Sequence, residues 1–484
     1  MPLLNRSLLR LAATASALAL SACTTVGPNF KTPDGPKGAA AAGYAMAGDP
    51  AAPGVLLTPE ARVAGSWWQA FGSPELDATM REALAANPTV AEANANLAKA
   101  QAQLAATRGA QAPQVNASGS VQRERINTQA FGFTGFPSPT INLYSIGAAV
   151  SYDLDLFGGK RRATEADQAR VDQAAHEADA AYLTLTGDVA LQAMRIAGLR
   201  AQIAAVQQII AADRENIAMV RKAQAAGGEA RSALSIGVAQ LSEDEAMLPP
   251  LQRDLDAARH QMALLTGKSP AEWTAPDFDL AKLDGSAAVP VSLPSSLVRR
   301  RPDILAAEAE LHAATAEIGV AIANQYPNIS LSANLTQAAI KPGDIFNYAS
   351  SGWSVLGGFT APIFNGGMLK AERKVAEAEA NAAMARYQQT VLRAFVQVSD
   401  VLSALGTDQV SIEALQRANA AADAGARDAQ TAYRLGGGTL LQVVDSQRTV
   451  SRARQALVQA QAQRYEDLVQ LYAATAADWR SAAS

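Results

Sequence analysis

The sequence predicts a mainly α-helical chain with a small β part, built as an internal duplication. Three observations carry that prediction. Two very long stretches show apolar residues every seven positions. A pair of short segments with apolar–polar alternation precedes each long stretch. The order of these elements, and some of their residues, repeats along the chain.

The first copy begins with Trp67-Trp68 and Phe71, then a helical pattern broken at Asn87-Pro88. The residue before a proline disfavours the helical region. A helix over about 88–108 follows. The first strand is expected at about 113–124, where Val115, Ala117 and Val121 alternate with Asn116, Ser118 and Ser120. The second, at about 142–155, puts Tyr144, Ile146, Ala148, Val150, Tyr152 and Leu154 on one face. Ser145, Gly147, Ser151 and Asp153 take the other, the mark of a half-buried strand. Residues 125–141, with Gly, Pro and Phe, close the two into a hairpin.

A long helix is expected over about 161–226. Tyr182, Val189, Ile196, Ile203, Ile210 and Ile217 recur every seven residues. Leu185, Gln192, Leu199, Val206, Asp213 and Val220 recur three places on. That is a two-position seam of the coiled-coil kind. At 1.5 Å per residue the helix would be roughly 100 Å long. Gly227-Gly228 ends it, since a glycine after the last turn closes a helix. A returning helix reaches about Leu265, with Pro249-Pro250 starting or kinking its second part.

The second copy repeats the plan. Pro327-Asn328-Ile329-Ser330-Leu331-Ser332 lines up with Pro113-Gln114-Val115-Asn116-Ala117-Ser118, an offset of roughly 207 to 214 residues across the copies. Strands are expected at about 327–337 and 352–362, and a long helix at about 367–433. Gly436-Gly437-Gly438 ends that helix, and a last helix runs to about 478. The chain therefore divides into residues 1–22, 23–66, a first copy at 67–269, a linker at 270–300, a second copy at 301–479 and a tail at 480–484.

Two hairpins give four strands and leave two sheet edges. Unpaired edges are not tolerated in a bilayer. Strands of about 10 to 13 residues suit a tilted crossing of the hydrocarbon layer. Closing such a sheet into a barrel takes several chains, and the Ala-rich seams also need partners.

The N-terminus adds a location. Arg6 and Arg10 precede a short apolar run, Leu11 to Ala19. It is shorter than the about 20 residues of a membrane helix and reads as an export signal. Leu20-Ser21-Ala22-Cys23 resembles the lipobox of bacterial lipoproteins, in which the cysteine is acylated and becomes the first mature residue. Cys23 is the only cysteine of the 484 residues, so no disulfide supports the fold. Thr24 stands where an Asp would resemble an inner-membrane retention signal, which favours the outer membrane. A Pro-, Gly- and Ala-rich stretch follows as an extended strap. The net charge of −4 gives no basic face for nucleic acid.

Several motifs then carry a resemblance. Leu293-Pro294-Ser295-Ser296-Leu297 is followed by Arg300-Arg301-Pro302-Asp303-Ile304, and Ile318-Gly319-Val320-Ala321 leads to Tyr326-Pro327. Val26-Gly27-Pro28, Trp67-Trp68 and Val444-Asp445-Ser446-Gln447-Arg448 belong to the same pattern. The chain resembles the TolC-like outer-membrane efflux factors, in the lipoprotein branch named for NodT and OprM. The resemblance implies a homotrimer with a 12-stranded outer-membrane β-barrel continuous with a 12-helix periplasmic tunnel.

It also implies a passive exit duct, with a periplasmic adaptor (a membrane fusion protein) and an inner-membrane efflux pump, commonly of the resistance-nodulation-division type, as partners. The adaptor would dock at tips made by Gly227, Gly228, Gly436, Gly437 and Gly438. Asp445 would form an acidic ring at the periplasmic gate. Gln442 stands where some relatives carry a second acid, and Gly438 where some carry an arginine. Tyr433 matches a tyrosine that tethers the closed helices. A type I secretion duct and a periplasm-spanning structural lipoprotein are the alternative readings.

No catalytic, cofactor or metal set is visible. His176, His260 and His312 lie on separate helices without ligand spacing. The glycine runs are not followed by the lysine of a phosphate loop, and no nucleophile elbow occurs. Asp153 and Asp155 are read as solvated residues at a strand end. The chain is not expected to be an enzyme.

Overall fold

The computed structural model describes residues 25–33, 65–132, 134–228, 230–284 and 298–475. The export signal, Cys23, most of the strap, the motif at 293–297 and the tail lie outside the described residues. Two compact units form. One comprises residues 1–33, 97–174 and 307–387, the other 34–96, 175–306 and 388–484. Each unit therefore draws chain from both sequence copies.

The first unit holds an antiparallel sheet of β1 (Gln114–Arg125), β2 (Thr140–Leu154), β3 (Asn328–Ala339) and β4 (Ser351–Thr360), in that order. The β2–β3 ladder joins the two copies, with Val150 opposite Ala333 and Ser151 opposite Ser332. β4 stops short of the expected end. Pro362 has no N–H to offer a ladder.

Cross-strand partners share a face, so the register sorts the side chains. Val115, Val150, Ala333 and Val355 form one row, and Ala117, Ala148, Leu335 and Trp353 the next. On the opposite face Asn116, Ala149, Asn334 and Ser354 form a row beside Ser118, Gly147, Thr336 and Gly352. One face is apolar, the other small and polar. The apolar face is bare in the single chain: Val121 is 72% exposed and Trp353 79%. β1 and β4 are open edges within the described residues.

The turns from strand to helix are solved alike in both copies. α3 (Gly159–Ala225) starts where the Asp155 carboxylate accepts the backbone N–H groups of Lys160 and Arg161, at 3.0 and 2.9 Å. α7 (Met368–Arg434) starts just after Asn365 Oδ1 accepts the Gly367 N–H at 3.1 Å. These side chains satisfy donors that a helix start leaves open. Both long helices begin within two residues of expectation. Also in sequence order are α1 (Pro74–Ala86), α2 (Pro88–Gly109), α4 (Arg231–Glu245), α5 (Leu248–Leu265), α6 (Pro302–Ala323) and α8 (Leu440–Thr475).

In the second unit the predicted seam is the core. Val189, Ile196, Val206, Ile210, Ile217 and Val220 of α3 are buried. So are Val391 and Val398 of α7. The returning helix is interrupted between α4 and α5, and Pro249-Pro250 fall in the first turn of α5, where a missing N–H costs nothing. Trp67 and Phe71, in a one-turn 3-10 helix, pack on Tyr472 of α8, with the Trp67–Tyr472 rings stacked at 5.3 Å. Within the stretch expected to be a plain linker, Leu280–Lys282 forms a helical turn and Phe278 is buried. Arg301 of the Arg-Arg-Pro-Asp motif grips Asp303 through two hydrogen bonds, at 3.0 and 2.8 Å. It also donates to Gln397 Oε1 and to the Ala474 carbonyl. That motif is a junction of α6, α7 and α8. No described helix is long and apolar enough to cross a membrane.

Candidate channel elements

The two glycine turns of the second unit share one geometry. After α3 the Gly228 N–H reaches back to the Ala223 carbonyl, and the Gly227 N–H to that of Gln224, both at 2.9 Å. After α7 the Gly437 N–H reaches Ala432 at 2.9 Å, and Gly436 reaches Tyr433 at 3.1 Å. Each is a Schellman closure, which needs a left-handed residue at its first glycine. Gly227 and Gly436 both have φ of 77°. Gly437 completes the second closure, and Gly438 leads into the next cap.

Beneath these turns Val220, Ala233, Leu440 and Val444 form a buried cluster, with Leu234 and Tyr433 packed against it. Tyr433 is thus part of the packing that holds four helix ends together. Leu435 and Leu441 stand exposed beside it.

Asp445 lies exposed on α8, one turn after that helix begins. Gln442 does something sequence reasoning passed over. The Thr439 N–H donates to Gln442 Oε1 at 2.8 Å, and the Gln442 N–H donates back to Thr439 Oγ1 at 3.3 Å. That reciprocal pair is a capping box. Its signal, Thr-x-x-Gln before an apolar run, stands in the sequence.

Sequence reasoning also passed over two acid pairs. Asp213 of α3 and Asp244 of α4 are both buried, and Gln240 donates to Asp244 at 2.8 Å. Burial, then the facing Asp244 carboxyl, push the Asp213 carboxyl up to about 7. Arg448 reaches Gln240 and lies 3.9 Å from Glu243. Asp408 of α7 faces Asp467 of α8, and burial together with that neighbour pushes it up to about 6. An acid at a seam position, as Asp213 is, was the available signal.

Four further titratable candidates have charged or hydrogen-bonding neighbours. Asp153 pairs with Lys160 at 3.4 Å, and Asp155 is the helix cap described above. His176 lies 3.6 Å from Asp179, and His312 hydrogen-bonds Glu165 at 3.1 Å. Among the described residues no three His, Cys, Asp or Glu side chains are grouped to hold a metal.

A sheet with one bare apolar face, one small polar face and two open edges is a fragment of a membrane barrel that several chains complete. With two long helical hairpins, it defines a channel-forming protein of the outer membrane. The chain belongs to the outer membrane efflux protein family, whose profile matches residues 79–268 and 293–477.

The pyoverdine export outer membrane protein OpmQ of Pseudomonas aeruginosa is 31% identical over 86% of this chain and 88% of its own. The toluene efflux pump outer membrane protein TtgC of Pseudomonas putida is 30% identical over 98% and 96%. The solved outer-membrane channel OprN superposes with a TM-score of 0.84 at 28% identity, over 94% of this chain and all of that one. The protein is therefore a TolC-like outer-membrane efflux channel and not an enzyme.

Proposed function

We propose that three copies of this chain form the passive exit duct of a tripartite efflux system that expels small molecules. The observation that carries the reading is the open, two-faced sheet. Three such sheets give a twelve-stranded barrel without a free edge. Its apolar rows would face lipid, and its rows of Ser, Asn, Thr and Gly would face water.

Acylated Cys23 anchors each chain, since several acyl chains hold a protein stably on a membrane. The Schellman turns at Gly227-Gly228 and Gly436-Gly437, with Gly438, form the tips that meet a periplasmic adaptor. The exposed Leu435 and Leu441 beside them suit an apolar contact. The adaptor joins an inner-membrane pump, which supplies the energy. Asp445, once per chain, forms a single acidic ring at the periplasmic gate, and Gln442 serves as a cap in place of a second acid.

Relatives named for pyoverdine export and for toluene efflux support small organic cargo. The purified lipidated protein in planar bilayers tests the reading. It should run as a heat-modifiable trimer and show discrete conductance steps. A stable trimer that never conducts would refute the duct.

A further inference from the structure

The first described residues of the chain are built into the first unit with unusual closeness. The Val26 N–H donates to the Phe157 carbonyl at 3.1 Å, in the turn between β2 and α3. Gly27 has φ of 91°, and a Cβ there would stand 2.5 Å from the Gly319 Cα. A Cβ on Gly158 would stand 2.7 Å from the Thr25 side chain. Strap and helices meet backbone to backbone at these glycines, and no other residue fits such an approach.

Arg162, only 2% exposed, organises this contact from the first turn of α3. Its Nε donates to the Val26 carbonyl at 3.0 Å. Nη2 donates to the Gly27 carbonyl at 3.2 Å and to Asn29 Oδ1 at 2.8 Å. Nη1 pairs with Glu165 at 2.7 Å. Glu165 in turn holds His312, on which Phe30 stacks with ring centres 4.4 Å apart. Thr32 donates to Glu308 at 2.8 Å. A planar fork that spends most of its donors on three strap groups, within residues 26–29, is matched to the strap and not to packing within the helix pair.

We propose that Arg162 is the positioning residue of the lipid anchor. It seats the strap so that the acyl chains enter the bilayer beside the turn at the base of β2. The inference rests on the reading of Cys23 as acylated. Cys23 is three residues before Val26 in the sequence, and three residues of chain reach at most about 11 Å. The base of β2 carries the apolar row Leu154, Ile329 and Phe359, and the acyl chains would run against that rim. A chain held there has its anchor fixed at the level where the sheet must begin its crossing.

The full-length lipidated protein in phosphatidylcholine vesicles provides the test. A nitroxide on Thr24→Cys reports the residue next to the anchor, and trypsin cleavage after Lys31 reports opening of the strap. In the otherwise unaltered chain the label should be immobile and Lys31 protected. In Arg162→Ala the label should become mobile and cleavage at least ten-fold faster, with trimer and helix content kept. Arg162→Lys should not restore the seat, because an ammonium cannot make the fork. An immobile label in folded Arg162→Ala, or full restoration by Lys, would overturn the inference.

If Arg162→Ala does not fold, the double variant Asn29→Ala, Thr32→Ala loosens the strap from its own side. An immobile label there overturns the inference, and a mobile one supports it. The mass of the peptide ending at Lys31 reads the acyl group separately. An unacylated peptide would remove the anchor reading while leaving the strap seat measurable.

Discussion

Asp213 and Asp244 face each other in the second unit with little water to share. The sign of their pH dependence follows from the raised carboxyl. Below about pH 3.8, folded and unfolded chains both hold the proton and the fold keeps its full stability. Between there and about 7 the unfolded chain has released a proton that the folded one retains, so stability falls as pH rises. Asp213→Asn should therefore raise the thermal midpoint more at pH 8 than at pH 5. Melting curves showing an equal gain at both values would contradict this. Asp445 carries a different expectation. Removing it should leave stability alone and loosen the closed state, so Asp445→Ala should conduct several-fold more in planar bilayers. Unchanged conductance would remove Asp445 from the gate. At this scale the glycine closures were legible from spacing, whereas Asp445 is named as a gate residue by resemblance alone. Arg162 could be found by neither, because its partners lie far along the chain and no local pattern marks it.

Among the elements, the sheet is where pattern and structure agree most closely. A period of two has only one way to lie flat, so alternation fixed which residues share a face before any partner strand was known. What alternation does not encode is which strand pairs with which. The β2–β3 ladder depends on the whole chain folding back. The faces make a sharp prediction for two neighbours in β3. Ala333→Arg places a charge on the apolar face and should cost about 2–4 kcal/mol per chain near mid-bilayer. Asn334→Arg, on the polar face, should assemble normally. Heat-modifiable migration of the two variants checks this, and equal assembly would reverse the assignment of faces. The helices were legible for a similar reason, a seven-residue repeat without proline. Their caps were less so: Asp155 looked like a solvated acid because a cap five or six residues ahead of its donors has no fixed spacing.

For the molecule as a whole, duplication is plain in the sequence but its consequence is not. The copies do not fold side by side as two domains, since each compact unit takes segments from both. Long-range strand pairing is the physical reason: β2 of one copy finds its second neighbour in β3 of the other. Residues 1–269 expressed alone should therefore yield no heat-modifiable species, and co-expression with the remaining chain should restore some. A stable barrel from the first copy alone would show that its hairpin closes without the second.

The duplication also sets a problem of recognition, and one detail bears on it. Arg214 pairs with Glu245 at 2.7 Å, and Asp423 pairs with Arg454 at 3.1 Å. The two pairs sit equally far from their own turn glycines, with the signs exchanged. Were α3 to fold against α8 in place of α4, Arg214 would meet Arg454, and Asp423 would be left to Glu245. The short glycine turns already tether each long helix to its own return. The exchanged charges add to that tether a small electrostatic preference of each long helix for its own return, on the order of 1 kcal/mol or less for pairs this exposed.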